Sequence, residues 1–316
     1  MTISAKIIQD SYSPFTQARV TTFELEYPRF IHSEFMTHHA IVKNSASSRA
    51  IPVETMIANI MQNPAMPIHW GKAQPGMQAY EEHDQVVIYD EDDCEAKPET
   101  AWRIAMLRAV DMAKAFAKAG YHKQVVNRLT EPFQHMKVVA TATDWNNFFW
   151  LRNHPDAQPE IHELARQMQE AYETNRFHSL NENEWHLPYL YRFRRIDTDG
   201  INKLQYALDP EGIVFLNVED AKKVSASLCA QVSYRKTDDS LGKATAIYDR
   251  LVKSTPVHAS PFEHQAMCFN PRDMYYYHDS WIEGITHMNR NGDFYSGNLR
   301  GFIQHRQLIP NNVKLG

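Results

Sequence analysis

The sequence predicts an α/β (α+β) fold: one mixed domain over residues 1–316, helix-rich, with an antiparallel-type sheet. Three observations predict it. Residues 20–27 read VTTFELEY, where Phe23, Leu25 and Tyr27 alternate with Thr22, Glu24 and Glu26 at the period of a strand. Other stretches carry apolar residues at helical spacing. No low-complexity tract, domain linker or short repeat divides the chain.

Taken in order, Pro28 ends the first strand, and residues 30–39 are predicted helical. Residues 44–49 read as a polar loop. Pro52 then opens a helix whose apolar face is Val53, Met56, Ile57, Ile60 and Met61. Residues 64–79 are rich in Pro and Gly and read as loop. The acidic run 91–95 reads as a solvated tip. Residues 100–118 give the clearest helix, with Thr100 as its cap and Gly120 as its stop. Its stripe is Trp102, Met106, Ala109, Val110, Ala113 and Phe116. Another helix is expected over 159–172, with Ile161, Leu164, Met168 and Ala171 inward. Residues 181–200 read as irregular, and 218–234 and 241–253 as helices.

Bulk composition narrows the function. Hydrophobic residues make up 43% and charged residues 22%, which suits a globular core and argues against disorder. The formal charge is −5 with no basic run, so no nucleic-acid partner is expected; a local pocket for a small phosphate remains open. No apolar run approaches the roughly 18 residues of a membrane span, and the start lacks a signal-peptide pattern. The three cysteines, Cys94, Cys229 and Cys268, have no metal spacing. A cytoplasmic location is therefore expected.

The informative stretch is THHAIVKNSASSRAIP, residues 37–52. Ser47 and Ser48 offer hydroxyl donors, and Arg49 a planar fork that matches phosphate oxygens. The free amides of the following helix add positive potential. On composition alone the stretch reads rather as a capped helix start with a surface arginine. Glu34 and His38, four apart, invite a metal reading and with it a metal-dependent hydrolase. Yet His38 and His39 point in different directions on a helix, and no third ligand has a familiar spacing.

In this register the stretch resembles the signature of flavin-dependent thymidylate synthases: Arg-His-Arg, two residues, Ser, one residue, Asn, two residues, Ser, one residue, Arg. His38, Asn44, Ser47 and Arg49 match; Thr37 and His39 stand where arginines are usual, and Val42 where a serine is. The resemblance implies that Ser47 and Arg49 hold a nucleotide phosphate, and that His38 and Asn44 contact the flavin. A second block joins NRLTEPF to DWNNFFWLRNHPDAQPEI, residues 144–161. There Arg152, Ala157, Gln158, Glu160 and Ile161 match, Arg128 resembles a substrate-binding arginine, and Asn147 a flavin-contacting asparagine. The resemblance puts Arg152 over the pyrimidine, where a fixed donor stabilises negative charge on a ring carbonyl. From the residues alone, Arg152 reads rather as an arginine whose aliphatic stem closes a helix–helix contact.

The third block, AQVSYRK (230–236) and HASPFEH (258–264), resembles segments that normally come first in the family. The order looks permuted, with 225–316 resembling the family's usual N-terminal part; termini that lie close together on a surface allow this. Ser233 and Ser260 are then flavin contacts, while Glu263 and His264 shape the loop. In SGNLRGFIQHRQLIP, residues 296–310, Arg300, His305 and Arg306 either replace the charge missing at Thr37 and His39 or end a surface helix.

The resemblance implies transfer of a carbon from methylenetetrahydrofolate to dUMP, with hydride from FAD reduced by NADPH, in a homotetramer with shared sites. No cysteine sits in a setting that activates a thiol. Competing readings are methylation or hydroxymethylation of another pyrimidine deoxynucleotide such as dCMP, and a nucleotide-binding protein without catalysis.

Overall fold

A computed structural model of the chain describes residues 3–89, 94–196, 200, 202–232, 240–272, 274 and 278–314. The architecture is mixed α/β, built on antiparallel pairing. Strands β1 (Ser4–Ser13) and β2 (Ala18–Pro28) form a long antiparallel hairpin. Strands β3 (Val42–Ser45) and β4 (His135–Ala142) extend it, β4 pairing with β2 and β3 with β4. At the other edge β5 (His178–Ser179) runs parallel to β1, giving the order β3-β4-β2-β1-β5. Between Ile7 and Gln9 a bulge shifts the register of β1 against β2.

The alternation in β2 does what it predicts on one face. Phe23, Leu25 and Tyr27 pack with Val138, Ala140 and Ala142 of β4 into one apolar cluster. Helices α1 (His32–Met36), α4 (Asn146–Arg152) and α5 (Pro159–Thr174) cover that face through Phe35, Phe148, Phe149, Ile161, Leu164 and Met168. Trp145 meets Phe23 edge-on with centroids 5.0 Å apart, a favoured aromatic arrangement.

The other face is covered too. Thr22 is fully buried, and residues 185–187, 264–268 and 299–303 lie over it. A hydrogen-bonded chain runs through this layer. Ser11 Oγ lies 2.9 Å from His186 Nδ1, His186 Nε2 2.8 Å from Thr22 Oγ1, Thr22 Oγ1 2.7 Å from Thr141 Oγ1, and Thr141 Oγ1 2.9 Å from His264 Nδ1. The segment approaches the hairpin closely at Gly301, with φ of 71°, where a Cβ would meet Thr16 Oγ1 at 2.6 Å; only glycine suits both constraints.

Helices α2 (Val53–Gln62) and α3 (Pro98–Lys118) pack beside the sheet through Met56, Ile60, Met106, Val110 and Phe133. Met61 is left exposed on α2. Helix α3 begins before Thr100: Lys97 is its cap and Pro98 its first residue, where proline's missing N–H is no loss. Three further expectations need correction. The helix over 30–39 is a 3-10 turn, Arg29–Ile31, followed by the short α1. Asn44 and Ser45 are strand rather than loop. Residues 181–200 hold ordered strand: β6 (Tyr191–Ile196) pairs with β7 (Asn202–Ala207), and β7 with β8 (Phe215–Leu216). Helices α6 (Val218–Ala230) and α7 (Leu241–Lys253) follow; of the helix expected to 234, residues 233 and 234 lie outside the described residues. Of the acidic run, residues 91–93 lie outside the described residues, while Cys94–Ala96 pairs with Val87–Tyr89. Among the described residues no helix is long and apolar enough to cross a membrane.

Candidate active site

Helix α4 carries Arg152 to its last turn, and α1 brings Glu34 up from the sheet edge. Arg152 Nε donates to His38 Nε2 at 2.9 Å, and its Nη1 approaches Glu34 Oε2 at 3.5 Å. His38 is therefore an acceptor at Nε2. Burial, then the charges of Arg152 and Lys43, hold its pKa down at about 4, so the ring is neutral at pH 7. Phe148 packs edge-on against it at 4.9 Å. Lys43 Nζ donates to the carbonyls of His38 at 2.6 Å and Ile41 at 3.0 Å, and burial lowers its pKa to about 8. Glu34 and His38 thus share an arginine. Among the described residues no three His, Cys, Asp or Glu side chains gather as a metal site requires.

Arg152 and Glu34 also line a cavity of about 790 Å³ with Gln158, Phe30, Trp102 and Tyr80, a volume typical of small-molecule sites. Its far wall is tied down by Glu160, which is buried. Glu160 Oε1 accepts from the Ile68 amide at 2.9 Å, and Oε2 accepts from Gln158 Nε2 at 3.1 Å. Tyr80 donates to Asp156 at 3.1 Å across the same wall. Gln158 and Glu160 were visible in the sequence as a pattern; their work as a brace appears only in three dimensions.

The serine-rich loop leaves β3 and enters α2. Ser48 is buried while Arg49 is exposed, and the Arg49 amide donates to Ser47 Oγ at 3.3 Å. No side chain caps the first turn of α2. Asn127, buried and not singled out by the sequence, clamps the loop: its Nδ2 donates to the carbonyls of Ser48 at 2.8 Å and Ile51 at 3.0 Å. Only its place beside Arg128 in the second block could have flagged it. Arg128 follows on the 3-10 helix Asn127–Phe133 and is exposed, and Pro132 of that helix lines the large cavity. One short element therefore links the loop to the cavity wall. Asn147 is exposed at the opposite end of α4 from Arg152.

The third block packs against the first within one chain. The 3-10 helix Ser260–Glu263 lies beside β3, and Asn44 Nδ2 donates to the Cys229 carbonyl at 2.6 Å. Ser260 is exposed at the start of that turn. Ser233 lies outside the described residues. Asn298 Nδ2 donates to the His39 carbonyl at 2.8 Å, so the last segment does reach the loop. Two of its three candidate charges do not replace the missing arginines. Burial drives the His305 pKa down to about 3, leaving the ring neutral, and Arg306 is paired with Glu263. Arg300 remains, 3.8 Å from Asp293, with its amide on Thr143 Oγ1 at 2.9 Å. Cys229 and Cys268 are buried; burial raises both thiols, Cys268 to about 11.

The model of one family, Thymidylate synthase complementing protein, matches residues 3–175, just over half of the chain. Those residues include His38, Asn44, Ser47, Arg49, Arg128, Asn147 and Arg152, but not Ser233, Ser260 or the candidates at 300–306. No curated protein matches the chain. Among solved structures, a UMP/dUMP methylase, PolB from Streptomyces cacaoi, bound with 5-Br UMP, is 19% identical with a TM-score of 0.40, covering 54% of this chain and 88% of that one. The same methylase bound with 5-Br dUMP is 15% identical at 0.38, covering 54% and 90%. On the strength of the family match, the chain belongs to the thymidylate synthase complementing protein family.

Proposed function

We propose that this chain makes dTMP from dUMP as a flavin-dependent thymidylate synthase. The observation that carries the reading is the cavity wall, where Arg152 stands beside Glu34 and Gln158 among Phe30 and Trp102. Flat aromatic walls with a few polar groups suit planar heterocycles, both the pyrimidine and a flavin ring. Two of Arg152's N–H groups face His38 and Glu34, and a guanidinium has five. The others donate to a ring carbonyl of dUMP and stabilise the charge that develops there when the weakly nucleophilic ring carbon attacks. Ser47, Arg49 and Arg128 hold the phosphate. His38, Asn44, Asn147, Ser233 and Ser260 hold FAD. Bound FAD, reduced by NADPH, supplies the hydride, and methylenetetrahydrofolate supplies the carbon. The buried cysteines support a route without a thiol nucleophile.

Residues 225–316 take the place of the family's usual first segment, and the contact of Ser260–Glu263 with β3 supports this. A homotetramer is part of the same reading. Trp150, 75% exposed, stands two residues from Arg152 on α4 and offers an apolar contact to another subunit.

The test is a titration with FAD followed by turnover on dUMP and, separately, dCMP. We expect FAD to quench protein fluorescence and dUMP to be the methylated substrate; no binding at saturating FAD overturns the proposal. Arg49→Ala should weaken dUMP binding by roughly ten- to a hundred-fold, the loss of a charge-assisted bond, with FAD binding unchanged. Unaltered dUMP affinity by calorimetry removes Arg49 from the phosphate site. Sedimentation of the active protein as a monomer removes the tetramer.

A further inference from the structure

Strand β6 reads YRFRRI, and residues two apart in a strand share a face. Arg192 and Arg194 accordingly point together toward the β1–β5 edge of the central sheet. Arg192 donates through Nη1 to Ser11 Oγ at 2.9 Å and through Nη1 and Nη2 to the Asp10 carbonyl at 3.1 Å. None of these acceptors carries a charge. The Asp10 carboxylate is committed elsewhere, to Arg19 at 2.6 Å, Thr21 at 2.9 Å and Asn175 at 2.8 Å. Arg194 is paired, with Glu184 at 2.8 Å, and also holds the Ser179 carbonyl at 2.7 Å. Glu184 is fully employed by Arg194, the Asn181 amide and the Leu204 amide. Arg192 thus makes no hydrogen bond to a carboxylate; the Asp10 charge reaches it only at longer range and is shared with Arg19, an arrangement that favours a further anion.

The Arg192 charge opens on a cavity of about 460 Å³, lined by His178, Ser179, Asn181, Arg192, Arg194 and Asn202. Burial, then Arg192, lowers the His178 pKa, so at neutral pH the ring is uncharged and presents one N–H. Two guanidiniums, an imidazole, a hydroxyl and two amides line it, and among the described residues no carboxylate does. The cavity lies at the β5 edge, while the serine loop leaves β3 at the opposite edge. Four inter-strand spacings of about 4.8 Å put the two roughly 19 Å apart across the sheet. One phosphate or mononucleotide cannot account for both.

We infer that the cleft between β5 and the β6–β7 hairpin is a second anion site, binding a phosphate-bearing small molecule of up to mononucleotide size. It falls outside the residues that the family model matches, apart from strand β1 beneath it. The inference is independent of the thymidylate reading: the site stands or falls on its own ligand.

The test uses Arg49→Ala protein, in which the serine loop is weakened, titrated with inorganic phosphate by equilibrium dialysis. We expect one phosphate per chain still bound. Adding Asn202→Asp, which puts a negative charge at an exposed rim position, should weaken that binding by about tenfold or more. Arg192→Gln should do the same, and Arg166→Gln, remote on α5, should do nothing. Parallel titrations identify the source: 5′-AMP binding at least about tenfold tighter than phosphate marks a nucleotide site, and equal affinity marks a phosphate site. Absence of saturable phosphate binding to the Arg49→Ala protein overturns the inference. So does a titration that neither Asn202→Asp nor Arg192→Gln alters, with fold confirmed by circular dichroism.

Discussion

The two faces of the central sheet are both buried, yet they are held by different physics. On the face under α4 and α5, Phe23, Leu25, Tyr27, Val138 and Ala140 meet Phe148, Ile161 and Leu164 in one apolar cluster. On the opposite face Ser11, His186, Thr22, Thr141 and His264 form a continuous hydrogen-bonded chain beneath the C-terminal part. The first face gains stability from area removed from water and is indifferent to direction. The second must satisfy each group in turn, so it specifies position more than it stabilises. That division suits the proposed roles: the dry face anchors α4 and hence Arg152, while the polar face fixes the segment that carries Ser260.

The comparison can be broken most sharply at Phe23. Phe23→Ala should cost about 3–5 kcal/mol in urea unfolding, the range for deleting a buried aromatic; a loss no greater than that from a polar-face change would abolish the distinction. On the other face Thr141→Val removes the partner of both Thr22 and His264, and should cost about 1–3 kcal/mol. A neutral Thr141→Val would show that the polar chain carries no structural weight.

Acid should act on the polar face before the dry one. Burial lowers the His264 pKa from 6.5 to about 3 in the folded protein, and the unfolded chain regains the higher value. Between those two values the unfolded state binds a proton that the native state refuses. The stability contributed by neutral His264 is therefore complete above about pH 6.5 and declines as the pH falls toward 3. The drop in urea midpoint from pH 7.5 to about 4.5 should be smaller in His264→Asn than in the parent; parallel curves would dismiss His264 as the cause. The smallest effect is expected at Cys229, which packs with Val139 and Val232 on the same face. Cys229→Ala should change stability by about 1 kcal/mol at most and turnover by less than about tenfold. Loss of activity with a normal flavin spectrum would instead indicate covalent chemistry.

The dry face was legible where it is periodic: the alternation in β2 and the helical stripe of α5 name Phe23, Leu25, Tyr27, Ile161, Leu164 and Met168 in advance. The polar face was not, because Thr22, Glu24 and Glu26 read as the solvent side of a half-buried strand. Nothing local reveals that residues more than 160 positions later cover Thr22 and Glu24. Strand β3 escaped for a related reason. Asn44 and Ser45 have the composition of a loop, and only pairing with β4 at the sheet edge makes them strand. The arginine-rich β6 looks equally unlike a strand until its partner is present. In the candidate site, the motif register named His38 and Arg152 for separate roles, and the hydrogen bond that joins them was not foreseen. Glu34's share of Arg152, the brace at Glu160 and the clamp at Asn127 depend on chain crossings that no window of sequence contains.

The bulge in β1 is what lets one strand serve both faces. Before it Ile7 stands opposite Phe23; after it Gln9 stands opposite Thr22 and Ser11 opposite Val20. Odd-numbered positions thus belong to the dry layer in the first half and to the polar layer in the second. Deleting Ile8 would leave a strand of unbroken parity, forcing either the residues before it or those after it onto the wrong side. The hairpin therefore tolerates one alignment, and a single extra residue acts as its reading frame.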